Sequence, residues 1–414
     1  MSPEKMTRRE FVQKAAIGTA GLAIAGGGLL APSRAYGAND KISIGIIGIG
    51  QRCRDLMNDL HKHSAEQNVE VTAVCDIWAR NLDRAAKTVT EWYGKEPRKF
   101  RHYEDLLALK DIDAVIIATA DFQHARMLAD AVKAGKDVYC EKPFANDLRD
   151  ARNAVDAVTK SGRIVQIGTQ RRSEGSWAAA AELIASGVLG TISKVDCEWN
   201  YFGPRWKRGD VDQAKEADVE WKRFLTGKKY RAFDPHQFME WRLYRDFSSG
   251  IPDQWMSHMI DAVQWMTGEQ YPASAVAHGG IYVWKDGREN VDTFQALLEY
   301  PKGFLVSYAT KFGNTASDRT LICGTNGTLD CDKWKITPNG GGGDGKLKEE
   351  IVVKPKPSVN HMENWLECLR SRRQPNSTAQ AGYSHAVAII MATRALHTGK
   401  KVIYDPTTRE MREV

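Results

Sequence analysis

Apolar and polar positions follow two different rhythms along this chain. Ile42-Ser43-Ile44-Gly45-Ile46-Ile47 is a β-branched apolar run of the kind a strand buried on both faces requires. Similar runs recur at Val69–Cys75, Ala114–Ala118, Asp137–Cys140 and Arg163–Ile167. Helix-like stretches separate them, notably Ala125–Ala134 and Leu148–Thr159. Alternation of this kind predicts a doubly wound parallel sheet, whose strand C-termini share one ligand-binding edge.

Beyond Gly168 the rhythm changes to a period of two. Val195, Cys197, Trp199 and Tyr201 alternate with Asp196, Glu198 and Asn200. Phe294, Ala296, Leu298 and Tyr300 repeat the pattern, and Phe304–Phe312 adds another strand. These predict an open, largely antiparallel sheet. Residues 203–250 show no clear period, and such length without a pattern is usually functional or an interface. Gly340–Gly343 reads as a loop, and helical patterns cover His361–Arg370 and Thr378–Leu396. The fold class is α/β. The change of rhythm divides the chain into one expected domain over 38–168 and a second over 169–414, with the C-terminal helices able to pack back on the first domain.

Composition narrows the function. With 414 residues, 42% hydrophobic and 27% charged, the chain is an ordinary globular one. A net charge of +6, scattered along the sequence, does not argue for nucleic acid. The cysteines at 53, 75, 140, 197, 323, 331 and 368 form no CxxC pair, so no metal cage or dense disulfide framework is expected.

The turn after the first strand reads Gly48-Ile49-Gly50-Gln51-Arg52-Cys53. Such a turn lets the backbone approach a pyrophosphate at a helix N-terminus, and Cys53 keeps the third position small. Gly48, Gly50, Gln51 and Arg52 are therefore candidate cofactor contacts. Asp76, at the end of the second strand, is placed to accept the ribose hydroxyls and to repel a 2′-phosphate. That favours NAD, while the neighbouring Arg80 keeps NADP open.

The first 37 residues carry Thr7-Arg8-Arg9-Glu10-Phe11-Val12-Gln13-Lys14, a soft apolar run from Ala15 to Ala31, and Ala35-Tyr36-Gly37. This resembles a cleavable twin-arginine export signal. It implies a periplasmic or otherwise exported protein, free of stable membrane insertion once cleaved. It also implies a cofactor loaded before export and tightly held.

Gly135-Lys136-Asp137-Val138-Tyr139-Cys140-Glu141-Lys142-Pro143 resembles the E-K-P signature of the Gfo/Idh/MocA oxidoreductases. Ala118-Thr119-Ala120-Asp121-Phe122-Gln123-His124 is similar to the family's loop after the fourth strand, and Gly168-Thr169-Gln170-Arg171-Arg172 to its domain junction. The resemblance implies an NAD-binding Rossmann domain over 38–168, an α/β substrate-binding and oligomerisation domain over 169–414, a homodimer or homotetramer, and cofactor contacts from Thr119, His124, Glu141 and Lys142. It places Lys142 beside the nicotinamide and the reacting hydroxyl, where a lysine can polarise a carbonyl as the ammonium or help a hydroxyl lose its proton as the neutral amine. It makes His258 the active-site histidine, a group suited to general-base work near neutral pH. The family commonly places Asp four residues before this His, and this chain has Gln254 there. Asp253 and Asp261 are the alternatives nearby.

Six of the 12 tryptophans fall between Trp199 and Trp265. Trp and Tyr stack on sugar rings. Arg171, Tyr201, Arg205, Trp206, Gln254 and His258 are the substrate candidates. The expected function is an exported NAD(P)-dependent oxidoreductase acting on a sugar, glycoside or polyol. The alternatives are an NAD-dependent glycosidase working by transient oxidation and elimination, and a non-catalytic binding protein.

Overall fold

The computed structural model describes residues 40–414, so the export-signal expectation for residues 1–37 lies outside the described residues. β1 (Ile42–Ile47), β2 (Val69–Cys75), β3 (Arg98–Phe100), β4 (Ala114–Ile117), β5 (Asp137–Cys140) and β6 (Val165–Ile167) form a parallel sheet in the order β3-β2-β1-β4-β5-β6. The strand order reverses between β1 and β4, which opens a crevice at their C-terminal ends.

The helices of this half are α1 (Gln51–Ser64), α2 (Ala79–Tyr93), α3 (Tyr103–Leu107), α4 (His124–Lys133) and α5 (Leu148–Ser161). α1 buries Cys53, Leu56, Met57, Leu60 and Ser64, the one-sided spacing of an amphipathic helix. α5 starts at an Asp147 cap whose side chain accepts the Asp150 N–H at 3.0 Å. The expected β6 loses its first two residues because the Ile164 N–H turns to the Asp137 carboxylate at 2.8 Å. β3 escaped the sequence reading: it has three residues, none of them fully buried.

The second sheet contains β7 (Ile192–Glu198), β9 (Ser274–Gly280), β10 (Thr293–Tyr300), β11 (Phe304–Lys311), β13 (Arg319–Gly324), β14 (Thr328–Asp330), β15 (Lys335–Thr337), β16 (Ile351–Val352), β17 (Val402–Asp405) and β18 (Glu410–Glu413). A separate two-stranded antiparallel sheet pairs β8 (Tyr201–Phe202) with β12 (Gly313–Asn314). The order β16-β15-β14-β13-β7-β11-β10-β9-β17-β18 is antiparallel except where β7 runs parallel to β11. The period-two reading of β10 holds: Phe294, Ala296, Leu298 and Tyr300 are buried. β7 stops before Tyr201, because Asn200 leaves the ladder. Its N–H goes to Asp318 and its side-chain amide to the Ala316 carbonyl, each at 2.8 Å.

Residues 203–250 hold only short helical pieces, including α7 (Trp221–Phe224) and α8 (Pro235–Met239). What organises them is an aromatic cluster. Trp221, Phe224, Phe238 and Phe247 pack with Trp78 and Phe122 from the edge of the parallel sheet.

Three longer helices, α6 (Gly175–Ala185), α9 (Ser257–Thr267) and α11 (Ala379–Thr398), pack together on the second sheet's side, and α11 also contacts α5. α10 (His361–Ser371) returns to the first half and inserts Met362, Trp365, Leu366 and Leu369 into the core with α1 and Tyr139. No helix among the described residues is long and apolar enough to cross a membrane. Trp365 is 0% exposed. Trp365→Ala is expected to cost about 3–5 kcal/mol, read as an earlier midpoint in denaturant.

Candidate active site

The ends of β1, β2, β4 and β5 open onto a cavity of about 1470 Å³ that is walled on its far side by the 203–250 stretch and by the segment leading into α9. Gly48 turns with φ +81°, and a Cβ there would stand 2.9 Å from the Thr119 backbone. At Gly50 nothing lies within 4 Å of a Cβ position, so the backbone faces open space. α1 begins there without a side-chain cap and without an acidic residue in its first turn. That arrangement fits a pyrophosphate. Gln51 and Arg52 line the cavity, and Cys53, 0% exposed, packs the helix against the sheet.

Asp76 is also held by the backbone around it. Its Oδ2 accepts the Ile49 N–H at 2.6 Å and its Oδ1 the Trp78 N–H at 2.7 Å. Burial pushes its carboxyl upward, and these backbone bonds oppose that. Asp76 therefore clamps the glycine turn to the end of β2. Arg54, Arg80 and Arg84 line the same cavity, so this end is basic. Asp76 lines the cavity with them, so its carboxylate is at the expected end of the site.

The other cofactor candidates also brace loops. His124 is buried, with Nδ1 2.9 Å from the Pro143 carbonyl and Nε2 3.2 Å from that of Thr119. Its ring ties the Thr119 turn to the Lys142 loop. Glu141, 4% exposed, takes the Arg52 Nε at 2.8 Å and the Lys142 N–H at 3.2 Å.

At the far side, Lys142 Nζ donates to the Gln254 backbone carbonyl at 2.9 Å and to its Oε1 at 3.2 Å. Arg242 Nε donates to the same Oε1 at 3.0 Å. Gln254 Nε2 in turn donates to Asp121 Oδ2 at 2.6 Å, which Ser248 Oγ also reaches at 2.6 Å. A carboxylate at 254 could not donate to Asp121; the amide both accepts from two cations and donates to an acid. A stretch of π-helix over Pro252–Met256 leads into α9, carrying Gln254 and Trp255 on the cavity wall while Asp253 is buried.

Burial pulls the Lys142 ammonium down to about 8, against the opposing pull of Asp121 and Glu141. Burial, with the charges of Lys142 and Arg171, holds the His258 imidazole well below its ordinary value, so it is neutral near pH 7. Asp253 is pushed up to about 7 by burial and by Asp121. Asp261 is paired with Arg172 at 2.8 Å and lies 3.5 Å from His385. Neither acid lines the cavity, so neither takes the place that Gln254 occupies.

Tyr201, Arg205, Trp206, Gln254 and His258 all line the cavity, as expected of substrate candidates. Arg171 does not: its guanidinium is stacked near Trp177 and Trp199, at 4.7 and 5.4 Å from their ring centres. Trp199 stacks on Trp255 with centroids 4.7 Å apart, and both face the cavity with Trp206 and Trp241. Trp241, Arg242 and Ser248 were missed. They lie in the aperiodic stretch, and the clustering of tryptophans was the one signal available there.

The family profile described as "Oxidoreductase family, NAD-binding Rossmann fold" matches residues 42–169, and its companion "Oxidoreductase family, C-terminal alpha/beta domain" matches 181–403. An inositol 2-dehydrogenase from Salmonella typhimurium is 35% identical over 150 residues, 36% of this chain and 43% of that enzyme. The match thus spans less than half of that relative's length. A "Glycosyl hydrolase family 109 protein 2" from Shewanella sp. is 25% identical over 319 residues, 73% of this chain and 66% of that protein. Among solved structures, the aldose-aldose oxidoreductase from Caulobacter crescentus, complexed with glycerol, has a TM-score of 0.66 at 21% identity, covering 88% of this chain and 100% of that one. The WlbA dehydrogenase from Bordetella pertussis, in complex with NADH and UDP-GlcNAcA, has a TM-score of 0.65 at 20% identity, covering 88% and 99%. At these identities the structural likeness concerns the fold, whereas both sequence profiles match in order along the chain. The protein belongs to the Gfo/Idh/MocA oxidoreductase family.

Proposed function

We propose that this protein is an exported NAD(P)-dependent oxidoreductase acting on a carbinol carbon of a sugar, glycoside or polyol. One observation carries the reading: Lys142, with an ammonium lowered to about 8, shares a cavity with the Gly48–Gly50 turn and with a neutral His258. The nicotinamide, when bound, supplies or accepts hydride. The N-terminus of α1 would hold the pyrophosphate, and Glu141 and His124 fix the loop that presents Lys142. Lys142 takes the hydroxyl proton as the carbinol is oxidised and returns it in the reverse direction. His258 accepts a hydrogen bond from the same or a neighbouring hydroxyl, and the Trp199–Trp255 pair stacks on the ring.

The twin-arginine resemblance supports export with the cofactor already loaded and retained. A second, oxidised substrate would then have to take up the hydride in the same cavity. The open sheet and the family's habit support a homodimer or homotetramer. Denaturing the exported protein and identifying the released nucleotide by absorbance and mass tests the retention. A dinucleotide in near-equal amount to the chain is expected; a chain recovered empty and unable to take up either coenzyme overturns the reading.

A second reading has its own support. The Shewanella relative spans about twice as much of this chain as the inositol dehydrogenases do, and Gln254 departs from the common dehydrogenase acid. In that reading the sugar is oxidised transiently, the aglycone is eliminated, water adds and the ring is reduced again. Aglycone release without added acceptor, yielding an unoxidised sugar, is the result that selects it. A keto sugar selects the oxidoreductase.

Proton abstraction needs the neutral amine of Lys142, so the oxidation rate is expected to rise with pH through about 8, and the reverse rate to fall over the same range. In Gln254→Asp a third carboxylate joins Asp121 and Glu141 around Lys142 and favours its charged form. The rise should move upward by about 1 pH unit or more, measured as initial rate against pH. An unmoved profile would remove Lys142 from proton transfer.

A further inference from the structure

Two arginines, Arg205 and Arg242, line the substrate end of the cavity with no ion-pair partner among the described residues. Arg242 donates its Nε to the Gln254 oxygen that also takes Lys142, so its guanidinium lies beside the reacting centre. Its plane rests near the Trp241 ring, 4.0 Å from the centroid. Arg205 lies 5.1 Å from the Tyr201 ring centre and 5.8 Å from that of Trp255. Burial holds the Arg242 guanidinium below its ordinary value and Arg205 adds repulsion, while Asp121 and Glu141 oppose this from a distance without pairing with it.

Four of the acids that line this cavity are committed elsewhere. Asp121 receives Ser248 and Gln254, Glu141 receives Arg52, Asp76 holds backbone N–H groups, and Asp210 pairs with Arg208. Among the described residues, no carboxylate forms an ion pair with Arg205 or Arg242. Stacking on aromatic rings leaves the edge of a guanidinium, with its paired N–H donors, free for a planar anion. Two such cations beside a catalytic lysine cost stability unless a ligand repays it.

We propose that the substrate carries an anionic substituent, a carboxylate or a sulfate ester on the sugar, which docks between Arg205 and Arg242 while the ring stacks on Trp199 and Trp255. This rests on the sugar-oxidising reading above and names its substrate class. The acid group serves recognition and is not changed in the reaction.

The test uses the purified, nucleotide-bearing protein and matched probes that differ in one group: methyl glucuronide against methyl glucoside, methyl galacturonide against methyl galactoside, and mannuronate against mannose. Titration calorimetry is expected to show at least one acid binding about tenfold or more tightly than its neutral partner, the scale of one charge-assisted pair. Glucose 6-sulfate against glucuronide separates sulfate from carboxylate. Arg205→Met and Arg242→Met should each lose most of that preference while retaining the nucleotide. If no acid outbinds its neutral partner, the proposal fails, and this wild-type comparison stands whether or not the variants fold. If the variants shed the nucleotide, the arginines serve the coenzyme's phosphates and the proposal fails too. Tight acid binding without reduction of the bound nucleotide by any probe would sink the oxidation reading and leave the anion site standing. Reduction by neutral sugars with no acid preference would do the reverse.

Discussion

The side-chain amide of Gln254 is the joint on which the catalytic geometry depends. It receives two cations on its oxygen and delivers its nitrogen to Asp121, so three charged groups from three segments meet at one neutral side chain. Lys142 comes from the end of β5, Asp121 from the turn after β4 and Arg242 from the aperiodic stretch. No ion pair could do this, because a carboxylate accepts only and would face a second carboxylate. The amide keeps cation and acid apart but electrostatically coupled. That accounts for an ammonium both buried and still held near the physiological range.

A similar economy shapes the cofactor side. Asp76, His124 and Glu141 are buried polar groups whose bonds run to neighbouring backbone, or to a single arginine in the case of Glu141. Each ties one loop of the strand edge to another. Buried polar groups are tolerable only when satisfied, and once satisfied they rigidify. The glycine turn, the Thr119 turn and the Lys142 loop therefore behave as one frame.

The parallel sheet was legible because every strand but one is a β-branched or apolar run long enough to register, and β1, β2 and β5 match their expected bounds. β3 fell below that threshold. The second sheet was legible where one face is wet, as in β10, and less so at β7, where Asn200 diverts the chain through side-chain bonds to residues more than a hundred positions away. Motif and resemblance brought Gly48, Gly50, Lys142 and His258 to the right cavity. They misdirected Arg171, since a charge next to an apparent junction does not reveal that two tryptophans will enclose it. Arg242 and Ser248 were invisible for a related reason: their partners are distant in sequence, and the aromatic packing that positions them has no period.

The return of α10 into the first half has a consequence for biosynthesis. Trp365 and its neighbours cover a flank of α1 and Tyr139 that the ribosome finishes long before it reaches them. During that interval the nascent sheet presents a bare hydrophobic flank. Cotranslational completion of the dinucleotide fold is thereby denied, and the emerging polypeptide is a natural client for a holdase until the late helix closes the seam.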